Sequence, residues 1–316
     1  MSDIKVLVSD DLSKAAVEIM SKAGLSVDVK TGLPPAELGA IIGQYHGLAV
    51  RSATKVTPEI LAKASSLKIV GRAGVGVDNI DVKAATEKKV QVINTPSGNA
   101  IAAGELALAH MFALARKIPQ ATASMKKGEW EKKKFAGVEI TGKTLGVVGF
   151  GNIGRQVAER GVGLRMKVLA HDPLLAPGSD APAGIKLVSL DDLIAQADFI
   201  SLHLPFLPTT KGLFGVDNLK KMKKGAYLIN CARGGIVDEN ALYEVLKSGH
   251  LAGAALDVFE KEPCGPLPLF ELDNVIASPH IGASTKEAQD KVAVELAEVF
   301  VDFFKNGKVR NAVNKL

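Results

Sequence analysis

Two groups of residues stand at spacings that would do chemistry. The first is Gly149-Phe150-Gly151-Asn152-Ile153-Gly154, a G-x-G-x-x-G run between the apolar segment Leu145 to Val148 and a helix-type pattern. In that context Gly149 permits a tight turn, Gly151 lets a pyrophosphate approach the backbone, and Gly154 lets the helix pack on the strand. The helix N-terminus adds N–H donors and a positive dipole, so a dinucleotide suits the pattern. Asp172 ends the strand expected at Lys167 to Ala170. A carboxylate there accepts a hydrogen bond from the adenosine ribose and repels a 2′-phosphate. NAD is therefore expected rather than NADP, unless Arg155 or a nearby lysine compensates.

The second group is Arg233, Glu262 and His280, each just beyond the C-terminal end of an expected strand. Open parallel sheets bind ligands at those ends. Taken singly they read as a surface ion pair, a solvated carboxylate and a structural donor. Together they supply a cation for a carboxylate, a proton carrier, and an acid that holds the carrier charged. Hydride exchange on a 2-hydroxy or 2-oxo acid needs those three parts.

The elements that must position these residues alternate strand and helix. Ile4 to Val8, Val27 to Val29, Leu48 to Val50, Lys68 to Val70 and Val90 to Ile93 read as strands of a parallel layer, separated by helical segments such as Leu12 to Ala23 and Pro35 to Ile42. The turn formers Asn94 to Asn99 then precede a helix from Ala100 to Lys117, apolar on most faces. A second set of strands follows at Leu145 to Val148, Lys167 to Ala170, Phe199 to Ser201, Ala226 to Ile229, Gly253 to Leu256 and Val275 to Ala277. The last helix is expected to begin at Ser284, with Glu287 completing a capping box, and to stop at Gly307. The fold expected is α/β, two Rossmann-like or flavodoxin-like domains with parallel sheets. A cofactor domain of residues 97–285 is inserted into a substrate domain of 1–96 and 286–316.

At 47% hydrophobic and 23% charged, 316 residues can bury cores for about two domains, which excludes a disordered or fibrous chain. The net charge of +5 is too mild to single out nucleic acid, and clusters such as Lys132-Lys133-Lys134 read as solvated surface. No apolar run reaches a membrane-spanning length, and the residues from Met1 to Lys5 lack a basic-then-apolar leader. Cys231 and Cys264 are too few for a disulfide framework or a zinc site and fit a reducing, cytoplasmic compartment. No metal, nucleic-acid or membrane partner is expected.

Gly71 to Asn79, Asn94-Thr95-Pro96, the glycine motif, Asn230 to Asp238, Ala254 to Phe259 and Pro279 to Ala288 together resemble the D-isomer-specific 2-hydroxyacid dehydrogenases, over nearly the whole chain. Within the family the likeness is strongest to the branch that oxidises D-3-phosphoglycerate to 3-phosphohydroxypyruvate, the first step of serine biosynthesis. The resemblance implies that Arg233 binds the substrate carboxylate, that His280 is the acid/base, and that Glu262 orients His280 and stabilises its protonated form. It also implies cofactor contacts from Val75, the backbone of Asn152 and Ile153, Leu204, Cys231, Ala232, Arg233, Asp257 (to the nicotinamide carboxamide), His280, Gly282 and Ala283. A capping role is the plainer reading of Asp257, and His203 reads as structural.

In the first domain the N–H groups of Gly74, Val75 and Gly76 would receive the substrate carboxylate, and Arg51, with Arg72, would meet a terminal phosphate. That fits 3-phosphoglycerate better than lactate or glyoxylate. Glyoxylate/hydroxypyruvate reductase remains the alternative, as does, in another class, an NAD-sensing corepressor-like binding protein. The helix Ala100 to Lys117 and the Trp130 region resemble the family's dimerisation elements, which implies a homodimer through the cofactor domain. After Val309 to Val313 no room remains for an appended domain, so feedback by serine is not expected unless this is the catalytic part of a longer protein.

Overall fold

The computed structural model describes residues 3–316, which form two compact units: the chain up to Asn99 together with Ala283–Leu316, and Ala100–Gly282. In the first unit, strands β1 (Lys5–Val8), β2 (Ser26–Val29), β3 (Gly47–Val50), β4 (Ile69–Arg72) and β5 (Gln91–Asn94) make one parallel sheet in the order β2-β1-β3-β4-β5. Helices α1 (Lys14–Lys22), α2 (Pro35–Ile41), α3 (Pro58–Lys63) and α4 (Val82–Glu87) connect them. Proline at the first turn of α2 and α3 needs no N–H partner there, and Thr57 and Asp81 cap α3 and α4 by accepting from Ile60 N and Ala84 N.

The second unit opens with α5 (Ala100–Arg116) and α6 (Ile118–Lys126), followed by β6 (Thr144–Val148), α7 (Asn152–Gly163), β7 (Lys167–His171), β8 (Ile185–Leu187), α8 (Leu190–Gln196), β9 (Phe199–Leu202), α9 (Val216–Lys221), β10 (Tyr227–Asn230), α10 (Glu239–Lys247), β11 (Gly253–Leu256) and β12 (Val275–Ala277). The sheet is again parallel, ordered β12-β11-β10-β9-β6-β7-β8, a dinucleotide-binding topology with one added edge strand. Its central strands β6 and β9 are buried on both faces, which explains the near-continuous apolar runs at Leu145 to Val148 and Phe199 to Leu202.

Helix α11 (Lys286–Asn306) belongs to the first unit and buries Val292, Leu296, Val299 and Phe300. Phe300 lies directly on the sheet because Gly47 and Gly71 have no side chain: a Cβ at Gly47 would stand 2.8 Å from the Phe300 ring, and one at Gly71 would collide with it. Burying such a ring contributes about 2–3 kcal/mol. The start of α11 corrects the expected capping box. Thr285, in extended backbone, is the N-cap and its hydroxyl accepts from Ala288 N (3.1 Å), so the Ser284–Glu287 pairing is one residue out of step. Gly307, at φ 62, ends the helix as expected. Among the described residues no helix is long and apolar enough to cross a membrane, and no group of three acidic, His or Cys side chains is placed to hold a metal ion.

Candidate active site

The turn between β6 and α7 carries the glycine motif. Gly149 has φ 95 and its Cβ would stand 2.6 Å from His203 O; a Cβ on Gly154 would collide with the Gly149 carbonyl. Around a Cβ on Gly151, by contrast, nothing lies within 4 Å. The outer glycines therefore serve packing, and the middle one leaves open space above the backbone. Helix α7 has no side-chain cap at Gly151 and no acidic residue in its first turn, so nothing within the helix offsets the positive end of its dipole. These features fit a dinucleotide pyrophosphate.

Asp172, just past β7, accepts from Phe150 N (2.9 Å) and Leu174 N (3.0 Å), one bond per carboxylate oxygen, which leaves lone pairs for a ribose hydroxyl. Arg155 stacks over the Phe150 ring at 4.5 Å, so the residue that would favour NADP is held on an aromatic face. Leu204, Cys231 and Ala232 are buried, Ile153 half-buried and Asn152 exposed. Burial and the charge of Asp257 push the Cys231 thiol up, so it is a neutral wall. His203 is half-buried and bonded to Ser201 Oγ (2.8 Å). Burial pushes it down to about 3, consistent with a neutral structural imidazole.

The ends of β10, β11 and β12 carry Arg233, Glu262 and His280. The buried amide of Asn230 folds the chain after β10: its Oδ1 accepts from Ala232 N (3.1 Å), and its Nδ2 donates to Arg233 O (3.0 Å). Arg233 Nη1 donates to Ala232 O (2.7 Å). His280 Nδ1 and Glu262 Oε2 stand 2.6 Å apart, with side chains 44% and 36% exposed, while Glu262 Oε1 accepts from Phe259 N (3.1 Å). The pair is thus joined to the β11 loop and open to solvent. His280 has φ 54, a left-handed conformation costing of order 1 kcal/mol for a non-glycine residue, so the surrounding turn must enforce it.

Asp257 enforces it. Fully buried at the end of β11, it accepts from Ser278 Oγ (2.5 Å) and Ile281 N (2.8 Å) on Oδ1, and from Gly282 N (2.8 Å) on Oδ2. With no exposed surface, Asp257 serves the turn in this structure, as the plainer capping reading has it. Ala283 begins the next stretch of the first unit. Ser278 and Asn230 are positioning groups to which motif reading assigned no role. Their signal was only that each lies at the end of a strand.

In the first unit, Arg51 follows β3 and Arg72 ends β4. The Arg51 to Thr54 loop is tied down by Asp10, which accepts from Arg51 N (2.5 Å), Thr54 N (3.0 Å) and Thr54 Oγ1 (2.6 Å), and by Asn79 Nδ2, which donates to Arg51 O (2.7 Å) and Thr54 O (2.6 Å). Arg51 Nη1 touches Asp11 O at 3.2 Å. Arg72 donates to Arg51 O (3.3 Å) and to Gly76 O, so it braces both loops. Gly74 departs from expectation: its N–H is committed to Thr95 Oγ1 (2.7 Å), because at φ 151 it turns inward to Thr95. The N–H groups of Val75 and Gly76 find no acceptor among the described residues, and Asn94 Nδ2 holds Val75 O (2.5 Å).

Comparison with known proteins agrees with this geometry. Residues 108–282 match the sequence model described as "D-isomer specific 2-hydroxyacid dehydrogenase, NAD binding domain". The chain is 51% identical over 312 residues to D-3-phosphoglycerate dehydrogenase of Archaeoglobus fulgidus, covering 98% of this chain and 59% of that protein. It thus spans about three fifths of the length of the curated relatives it matches. Among solved structures, the TT0316 protein of Thermus thermophilus has a TM-score of 0.89 at 35% identity, covering 98% of this chain and all of that one. The 3-phosphoglycerate dehydrogenase of Entamoeba histolytica with NAD⁺ bound has a TM-score of 0.85 at 30% identity, with both chains fully covered. The doubly wound sheet, the glycine turn opening α7, and the family match over 108–282 make this chain a member of the D-isomer-specific 2-hydroxyacid dehydrogenases.

Proposed function

We propose that the chain catalyses the NAD-dependent oxidation of D-3-phosphoglycerate to 3-phosphohydroxypyruvate, the step that opens serine biosynthesis, and the reverse reduction. The observation that carries the chemistry is the 2.6 Å pair of His280 Nδ1 and Glu262 Oε2 on a turn at the strand ends. The 51% identity to an enzyme of that name supports the substrate.

NAD, when bound, supplies the carbon that accepts the hydride. Gly149, Gly151, Gly154 and the first N–H groups of α7 would hold its pyrophosphate, and Asp172 its ribose. With Glu262 ionised, the shared hydrogen sits on His280 Nδ1. Nε2 is then left with a lone pair to take the substrate hydroxyl proton. Glu262 offsets the charge that His280 acquires. The Arg233 guanidinium pairs with the substrate carboxylate and polarises the developing carbonyl; in the first unit, the Val75 and Gly76 N–H groups are donors of the kind a carboxylate takes. Arg51 binds the terminal phosphate.

The deciding experiment measures kcat/KM for a panel of D-2-hydroxy and 2-oxo acids with NAD and NADP. 3-Phosphoglycerate and 3-phosphohydroxypyruvate should exceed glycerate, hydroxypyruvate and glyoxylate. Equal values would remove the phosphate assignment, and no turnover with intact NAD binding would point to a sensing module. The exposed Ile118, Met125 and Trp130 (80% exposed) support a homodimer through α5, α6 and the segment after them, which light scattering should show as twice the chain mass. Two free cysteines accord with a cytoplasmic location.

A further inference from the structure

The turn that carries His280 is held by a chain of hydrogen bonds reaching back to α5. His110 is 5% exposed on that helix, and its Nε2 stands 3.0 Å from Ser278 Oγ. Ser278 Oγ is in turn 2.5 Å from Asp257 Oδ1. The directions are set by chemistry. An ionised carboxylate only accepts, so the Ser278 hydroxyl donates to Asp257 and its oxygen is left to accept from His110. The proton of the His110 ring is thereby placed on Nε2.

A hydroxyl that donates to a buried carboxylate while accepting from an imidazole N–H is polarised, and each bond in such a series strengthens the next. Asp257 passes the constraint on. The same Oδ1 accepts from Ile281 N, and Oδ2 accepts from Gly282 N, so the two residues after His280 hang on it. Ser278 N is fixed to Leu256 O (3.0 Å) from the other side, and His280 N to Ser278 O (3.1 Å). His280 at φ 54 is clamped between these anchors. Burial lowers the pKa of His110 more than Asp257 raises it, so the link works with a neutral imidazole at neutral pH.

We propose that His110 is a positioning residue for His280, acting through Ser278 and Asp257 to hold the His280 turn in its left-handed conformation. Its effect on turnover rests on the acid/base role of His280 proposed above. Its effect on the turn does not.

The test compares the 316-residue protein with His110→Leu, His110→Gln and Ser278→Ala, reading kcat, KM for NAD, the unfolding midpoint, and hydrogen exchange at the Ile281 and Gly282 amides. His110→Leu should lower kcat about ten-fold, leave KM for NAD within about two-fold, and speed exchange at those two amides about ten-fold. Exchange in β6 and β10 should stay at the parent rate. His110→Gln, whose amide N–H can donate to Ser278, should recover most of both effects, which a packing role would not restore. A folded His110→Leu with parent kcat and parent exchange at Ile281 and Gly282 overturns the assignment. If His110→Leu does not fold, Ser278→Ala cuts the same link, and unchanged exchange there overturns it equally. If the parent protein oxidises no 2-hydroxy acid, the proposed function fails, while the exchange rates still decide whether His110 holds the turn.

Discussion

Both sheets reverse their strand order at one point, between β1 and β3 in the first unit and between β6 and β9 in the second. Topology marks each as a place for a ligand, yet the two are built with opposite chemistry. After β6 come glycines, open space above Gly151, and a helix with no acidic residue in its first turn. After β1 come Ser9, Asp10 and Asp11, and the buried Asp10 carboxylate fills the position by accepting from the Arg51 to Thr54 loop. One switch point is prepared for an anion. The other spends an internal anion on holding a loop that bears a cation. Fold names the place, and only the residues decide what it does.

The largest effect that bears on this contrast is in the second unit. His280→Asn should lower kcat about a thousand-fold while the NAD dissociation constant, read by fluorescence, stays near the parent value. Undiminished turnover would take His280 out of the mechanism and leave the second unit a binding module. In the first unit, Arg51→Ala should reduce kcat/KM for 3-phosphoglycerate about thirty-fold and for glycerate by less than about three-fold. A loss of the same size for both would mean that Arg51 only braces its loop. Asp172→Ala should narrow the preference for NAD over NADP about ten-fold by removing the carboxylate that repels a 2′-phosphate; an unmoved ratio would assign cofactor choice elsewhere.

A separate effect concerns acid and stability rather than turnover. His203, beside the Gly149 turn, has a folded value of about 3 against 6.5 for the free side chain. Between those values the unfolded chain binds the extra proton, so stability present above pH 6.5 is lost as pH falls toward 3. His203→Gln should flatten the loss by about 1 kcal/mol per pH unit across that window, measured by urea unfolding. Parallel pH dependences in parent and variant would show that the imidazole is not buried neutral in solution.

Much of this was legible in residue order. Strands β3, β6, β9 and β11 stood out because a strand buried on both faces must be apolar throughout, and the glycine motif because close approaches tolerate no Cβ. Strand β8 was missed: Ile185–Leu187 is three residues amid turn formers, too short for any period to show. Helix α6 was hidden in a polar stretch, with Pro119 in its first turn as the only mark. Overlapping S-x-x-E and T-x-x-A patterns at Ser284 and Thr285 could not be separated without backbone angles.

Sequence alone determined the family of chemistry, because hydride exchange on a hydroxy acid demands particular side chains and their types can be read one by one. Tertiary structure alone decided how they are held. Asp10 meets Arg51 across 41 positions, and His110 meets Ser278 across 168, through strand registers and a helix packing that no local pattern encodes. Hydrogen bonds of that range form only once the parallel sheets have set which residues become neighbours.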